Sequence, residues 1–290
     1  MVLFEHGLID GLLSGGMYAL MAAGLSLILG VMNFLNVAQA TFVLVGSYLS
    51  YTLQVHLGID PFLGLLITTP CLFLLGAVVE WAFLGKLTGP DRLVTAILAT
   101  YAVGIAIQGI LNLIYGTDYV QIHASYTQAT IHIFGIYVPE IAVLGFGLSA
   151  VLIMLLYLFL YRTRTGAGLR ATMQNRKAAS LVGIDVSRIS TIAFAIGVSL
   201  TAAGGMVFGA TNAFNANSAE DLLSRLLAIV ILGGLGSIGG SMAAALFMLA
   251  VEDVVASVWS PIWATSVFYL VLVIVLSVRP QGLFGRLSEV

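Results

Sequence analysis

Side chains able to move protons, bind metals or attack a substrate are sparse in the apolar stretches of this chain. Glu80 and the Glu252–Asp253 pair are the acids nearest to apolar runs, and an ionisable residue at membrane depth is a functional candidate by default. Glu80 lies about one turn from the end of its run, where it can relay protons, snorkel or pair with Lys86. His123 and His132 could supply two zinc ligands, but no third ligand lies near them, so they are expected to be exposed hairpin histidines. Cys71 is the one cysteine and lies in an apolar run, so an intrachain disulfide is excluded. Asn33, Asn36, Gln39, Thr41, Thr100, Gln108 and Asn112 are neutral polar residues in or beside apolar runs. They can line a polar path for a solute or hydrogen-bond one helix to another. No G-x-x-x-x-G-K-[ST], H-E-x-x-H, C-x-x-C or G-x-S-x-G occurs. No carboxylate pair recurs at helical spacing within a run, so neither a nucleotide cradle nor an intramembrane enzyme is expected. No metal, no bound cofactor and no nucleic-acid partner are expected either.

The elements that must hold these residues follow from composition. The chain is 60% hydrophobic and 8% charged, against about 25% charged in soluble domains. Runs of about 20 apolar residues recur, the length of a helix crossing hydrocarbon. The expectation is an all-α polytopic membrane protein, a single transmembrane domain over 1–290. It has about eight segments: 11–32, 37–56, 62–84, 93–115, 139–161, 189–211, 225–257 and 262–279. MVLFEHGLID, before the first run, lacks the basic start of a cleaved signal peptide, so that run is expected to be retained.

Basic residues orient the segments. Six of the eleven Lys and Arg fall in 162–188 (Arg162, Arg164, Arg170, Arg176, Lys177, Arg188), Lys86 and Arg92 flank a linker at 85–92, and Arg279 and Arg286 follow the last run. The positive-inside rule places all three groups in the cytoplasm and, counting back, the N-terminus outside. The C-terminal count agrees only if 225–257 enters and leaves by one face. Gly233, Gly234, Gly236, Gly239 and Gly240 break that run near its middle, so a re-entrant hairpin is expected, its irregular backbone buried in protein or lining a cavity. In 116–138 residues alternate (Val120, Ile122; Ile131, Ile133), which predicts a short outer-face β-hairpin. Gly30-x-x-Asn33-x-x-Asn36 and Gly209-x-x-Asn212-x-x-Asn215 share one pattern at the ends of the first and sixth runs. It reads either as a helix end, where Asn accepts left-handed backbone, or as an inverted repeat that sets a substrate site between its halves. Asn212, Gly233, Gly234 and Gly236 join Asn33, Asn36, Gln39, Thr41, Thr100 and Gln108 as the candidate pathway.

In the basic segment Thr165 is a candidate N-cap. The helix after it is expected to end at Val182, with Gly183 left-handed and Ile184 its apolar follower. Asp185 or Ser187 would cap the next helix. Ala178 and Ala179 are small where a lipid anchor would have Phe, Trp or Leu, so the helix suits docking into another protein.

TRTGAGLRATMQNRKAASLVGIDVSRI resembles the cytoplasmic coupling segment of permeases of the branched-chain amino acid class of ABC importers. Ala178-Ala179-x-x-x-Gly183 is similar to the E-A-A-x-x-x-G signature of that segment, with Lys177 in place of the acid. GLSLILGVMNFLNVAQATFVLVGSY, LATYAVGIAIQGILNLIYG and VILGGLGSIGG extend the resemblance over nearly the whole chain. Ala40 and Thr41 stand where the family has Gly and Glu, and Trp81 where it often has Arg. The resemblance implies a bacterial inner-membrane permease without catalytic residues, alternating access under two cytoplasmic ATPase subunits that bind the ATP and Mg. It implies a second, related permease chain and an extracytoplasmic solute-binding protein. Amino acids are the default solute, and urea, amides or aromatic acids the alternatives; a secondary transporter is the remaining reading. The implied coupling residues are Gly166, Leu169, Arg170, Ala171, Arg176, Lys177, Ala178, Ala179, Leu181, Gly183, Ile184 and Asp185.

Overall fold

Backbone N–H and C=O groups have no water to bond to in hydrocarbon, so an apolar chain satisfies them internally as helices. The computed structural model describes residues 2–87, 89, 91–124, 126, 127, 129–133 and 136–285. Among them run α1 (Val2–Met32), α2 (Gln39–Leu57), α3 (Pro61–Val79) continued by a π turn (Glu80–Leu84), and α4 (Arg92–Tyr115). Strands β1 (Thr130–Ile133) and β2 (Ile136–Pro139) follow, then α5 (Glu140–Arg162), α6 (Arg164–Gln174), α7 (Arg176–Leu181) and α8 (Val186–Thr211). The last three helices are α9 (Ala219–Gly233), α10 (Ile238–Val258) and α11 (Pro261–Val278). Local chemistry sets several ends. Asp60 accepts a hydrogen bond from the Phe62 N–H at 2.9 Å with Pro61 in the first turn, and left-handed Gly58 (φ 65°) closes α2.

Seven of these helices are long and apolar enough to cross a membrane: α1, α3 with its π turn, α4, α5, α8, α10 and α11. The eight expected segments are not reproduced one for one. α2 is a full helix, but its Gln39, Thr41, Ser47 and Ser50 are buried against neighbours, so it has no need of an apolar outer face. In their most apolar stretches α1 and α8 are 83% and 89% buried, whereas α4 and α11 are 17% and 11% buried. The first two are therefore the centre of the bundle. Leu66, Leu113, Met154 and Ile262 point outward from the others, as a lipid-facing surface requires.

Small residues bring the central helices together. Gly7, Gly11 and Gly15 form a stripe on α1, and a Cβ at Gly11 would lie 2.5 Å from the Ala250 Cα of α10. Gly7 meets Asp253 and Val254, and Gly15 meets Leu246, so α1 and α10 run antiparallel in backbone contact. α3 and α8 are also antiparallel: Gly76 meets Ala195 and Val198, and the Thr191 hydroxyl donates to Glu80. The first helix of α1–α4 thus packs on the third of α8–α11, and the third on the first. α2 and α8 run parallel, joined by the Ser47 hydroxyl to the Gly205 carbonyl at 2.6 Å.

Two ends of the bundle result. The ends of α1 and α5, α6, α7 and the start of α8 share the basic end. The β1–β2 pair lies at the other. The Gly-rich break falls between α9 and α10, near the middle of 225–257 as expected, and lies at the basic end: Gly236 touches Gly30 near the end of α1, and Leu283 N–H donates to Leu232 C=O at 2.7 Å. α9 therefore runs from the hairpin end to the basic end and α10 returns to the hairpin end, with the glycines forming the turn between them. α11 then runs back to Arg279 at the basic end; Arg286 lies outside the described residues.

The hairpin forms later than the alternation suggested. Ile131 pairs with Val138 across β1 and β2. Val120 instead exchanges both backbone hydrogen bonds, each 2.9 Å, with Phe214 beyond α8, and Ile122 N–H donates to Gly209 C=O. Its partner is a distant segment, which local alternation does not encode.

Candidate functional site

The basic segment builds two helices where one was expected. Thr163, rather than Thr165, caps α6 by accepting from Gly166 N–H at 2.9 Å. The chain then extends at Asn175, whose Oδ1 accepts from Ala178 N–H at 3.0 Å and starts α7. The end of α7 is as expected: Gly183 is left-handed (φ 87°) and Ile184 N–H reaches back to Ala179 C=O at 3.1 Å. Asp185 caps α8, accepting from Arg188 N–H at 3.1 Å.

Burial divides the coupling candidates. Gly166, Leu169 and Ala179 are buried, while Arg170, Ala171, Arg176 and Ile184 are half-buried. Lys177, Ala178, Leu181, Gly183 and Asp185 are exposed. Ala179, at 3% exposure, packs into the protein, while Leu181 and Val182 are 87% and 77% exposed. Of the expected small-residue surface, Ala178 and Gly183 are exposed and Ala179 is buried, and Leu181 and Val182 add a large apolar tip to it.

Arg176 ties α7 to the helices. Its guanidinium donates to the Val31 carbonyl at 3.1 Å and faces Glu80 and Arg92. Burial, with Arg92 nearby, pulls this group below its usual range, and Glu80 opposes the shift. Glu80 is 2% exposed in the π turn and accepts from Thr191. It does not pair with Lys86, whose ammonium sits 5.3 Å from the Trp81 ring centre. A cavity of about 950 Å³ opens beside α6, lined by Gly30, Asn33, Tyr161, Arg170, Gly236 and Ser237 among others, with the Arg170 guanidinium 4.4 Å from the Tyr161 ring centre.

The pathway candidates do not converge on one site. Asn36 donates to Gln39 Oε1 at 2.9 Å, and Gln39 donates to the Gly197 carbonyl at 3.2 Å, so α2 is fastened to α8. Thr100 accepts from Val37 N–H at 3.3 Å, and Thr41 is buried beside Gly104. Through these bonds Gln39 joins α2 to α8, and Thr100 joins α4 to the segment before α2. Gln108 and Asn112 both reach Asn217 at the hairpin end, at 3.1 and 3.5 Å. Asn33, left-handed at φ 58°, lies at the basic end with Gly233, Gly234 and Gly236, whereas Asn212 caps α8 at the opposite end. Among the described residues no group of three His, Cys, Asp or Glu is placed to hold a metal. The His132 side chain lies outside the described residues.

One charged pair escaped the sequence reading. Arg225 of α9 meets Glu252 of α10 at 2.6 Å and also lies over the Phe268 ring, 5.5 Å from its centre. An Arg inside the run 225–257 was itself the signal, because a cation in such a run needs a partner.

Residues 7–276 match the family described as Branched-chain amino acid transport system / permease component. The chain is 27% identical over 96% of its length to the High-affinity branched-chain amino acid transport system permease protein BraD of Pseudomonas aeruginosa, covering 95% of that protein. It is 25% identical over 98% of its length to the corresponding protein LivH of Salmonella typhimurium, covering 96% of it. Among solved structures, PsaBC from Streptococcus pneumoniae in complex with Fab is a looser match. It has a TM-score of 0.48 and 14% identity, over 92% of this chain and 91% of that one.

Proposed function

The chain belongs to the branched-chain amino acid transport system permease component family, and from that premise we propose that it is the membrane-spanning subunit of an ATP-binding cassette importer. It moves a small amino acid, branched-chain aliphatic by default, by alternating access, and does no chemistry of its own. Two cytoplasmic ATPase subunits bind the ATP and Mg and dock on α6–α7. A second, related permease chain completes the pathway, and a solute-binding protein delivers solute at the hairpin end. The chain sits in a bacterial inner membrane with its N-terminus outside and the basic end in the cytoplasm. α9 and α10 enter and leave by the outer face, which keeps Arg279 on the cytoplasmic side with the other basic residues.

The observation that carries this reading is the tip of α7. Leu181 and Val182 project from a polar segment beyond the apolar band, at 87% and 77% exposure. Large apolar side chains held outward by a capped helix end favour a protein partner. The test replaces both with Asp and asks whether the permease still co-purifies with its ATPase and supports ATP-dependent uptake. Loss of both, with the folded permease still made, is expected; retained association would overturn the docking assignment.

A further inference from the structure

The cavity of about 950 Å³ beside α6 collects hydrogen-bond donors, and no acidic side chain lines it among the described residues. Arg170 is the one charged residue of that lining. Its guanidinium lies 4.4 Å from the centre of the Tyr161 ring, a cation–π contact that holds it in place. Its N–H groups are unused. Arg170 makes no hydrogen bond or ion pair among the described residues, and its Nε is buried without a partner. Arg176 and Arg225, also half-buried, each have an acceptor: the Val31 carbonyl and the Glu252 carboxylate. A guanidinium donor taken out of water with nothing to accept from it is costly to keep.

The first turn of α10 gives an independent signal, because Ile238 and Gly239 line the same cavity. Ser237 caps that turn by accepting from Gly240 N–H at 3.1 Å. The two N–H groups before it have no carbonyl to reach within the helix, and this end of a helix carries partial positive charge. A Cβ on Gly239 would lie 3.0 Å from the Tyr157 hydroxyl, so glycine there leaves backbone and hydroxyl side by side. Tyr157 in turn stacks on Tyr161, with ring centres 5.9 Å apart and planes within 1°. Arg170, the two tyrosines and the start of α10 thus form one continuous wall. Leu29, Leu160 and Met173 supply an apolar remainder. Tyr161 and Leu235 line the cavity and are each 61% exposed, so it is open to the surroundings. The volume falls in the range of about 300–1,000 Å³ common for small-molecule sites.

We infer that this cavity binds a phosphate ester anion, with Arg170, the first N–H groups of α10 and the Tyr157 hydroxyl donating to its oxygens. A guanidinium and a helix N-terminus are both well matched to that anion. Donors of three kinds spread along one wall suit the several oxygens of a phosphate better than the paired oxygens of a carboxylate. An anionic phospholipid headgroup and a soluble phosphate ester present the same group. The site lies within one chain and rests on neither an ATPase nor the transport reading, so it is testable on the purified chain alone.

Melting of the full chain in detergent is followed with dioleoyl phosphatidylglycerol, with dioleoylglycerol, and with glycerol phosphate against sodium chloride at equal ionic strength. A rise of a few degrees is expected with at least one phosphate compound, and none with dioleoylglycerol. A rise with the phospholipid alone assigns the site to lipid, and a rise with glycerol phosphate assigns it to the phosphate group itself. Arg170→Gln should abolish the rise, while Arg162→Gln, exposed and outside the cavity, should keep it. If Arg170→Gln does not fold, Gln174→Cys gives a second reading, since Gln174 is exposed and lines the cavity. Its modification by a maleimide should slow with the compound that raised the melting point, against the parent chain carrying Cys71 alone. No rise with either phosphate compound, an equal rise with dioleoylglycerol, a rise that survives Arg170→Gln, or an unchanged Gln174→Cys rate would overturn the inference.

Discussion

At Arg225 the cost of a charge inside the bundle can be measured directly. Its partner Glu252 is almost fully enclosed, so Glu252→Leu leaves a cation stranded and should cost about 3 kcal/mol. Arg225→Met with Glu252→Leu should recover most of that loss, read as unfolding midpoints of the three variants. Single and double variants melting alike would show the pair to be idle. The α7 tip offers a second contrast. Ala179→Asp puts a carboxylate into a buried site and should lower the yield of folded protein, whereas Leu181→Asp should leave yield unchanged and reduce ATPase association; size-exclusion recovery separates the two. Gly183→Ala meets no atom within 4 Å but sits at φ 87°, so it should cost only the strain of left-handed backbone, about 1 kcal/mol. The caps at Gly183 and Asp185 were legible because their partners lie within five residues. Arg225 was not, because its partner is 27 residues away on another helix.

Among the elements, the glycine stripe of α1 makes the sharpest claim. Gly11 faces the backbone of Ala250, and a backbone atom cannot swing aside as a side chain can. Gly11→Leu should therefore force α1 from α10 and cost at least about 3 kcal/mol, seen as early unfolding in a denaturing detergent series. Gly109→Leu, with no atom within 4 Å of a Cβ, should be tolerated. Helix positions were readable from hydropathy, since lipid enforces both length and apolarity. What hydropathy could not show was the extended step at Asn175, which divides the basic segment into α6 and α7, or the choice of Thr163 over Thr165 as cap. Both hydroxyls precede a turn of helix, and only the packing of Gly166 against the end of α5 selects between them. The Gly-rich run was seen as a break, but its depth depends on where Gly236 lands against Gly30.

For the molecule as a whole, the arrangement of ends is the testable quantity. Trp259→Cys and Lys177→Cys should be labelled by an impermeant reagent from opposite sides of the membrane, and labelling from one side would refute the path described for α9 and α10. In the fold the basic residues of 85–92, 162–188 and Arg279 share one end although the segment count differs from the eight expected: α9 and α10 run out and back, and such a pair leaves parity unchanged. Parity gives α5 a meaning of its own. α1–α4 and α8–α11 are quartets, and an even number of helices brings the chain back to the side it started from. A single helix between them delivers the second quartet upside down, which lets α1 lie along α10 while α3 lies along α8. Were α5 removed, the two halves would point the same way, and that reciprocal seam would have no geometry in which to close.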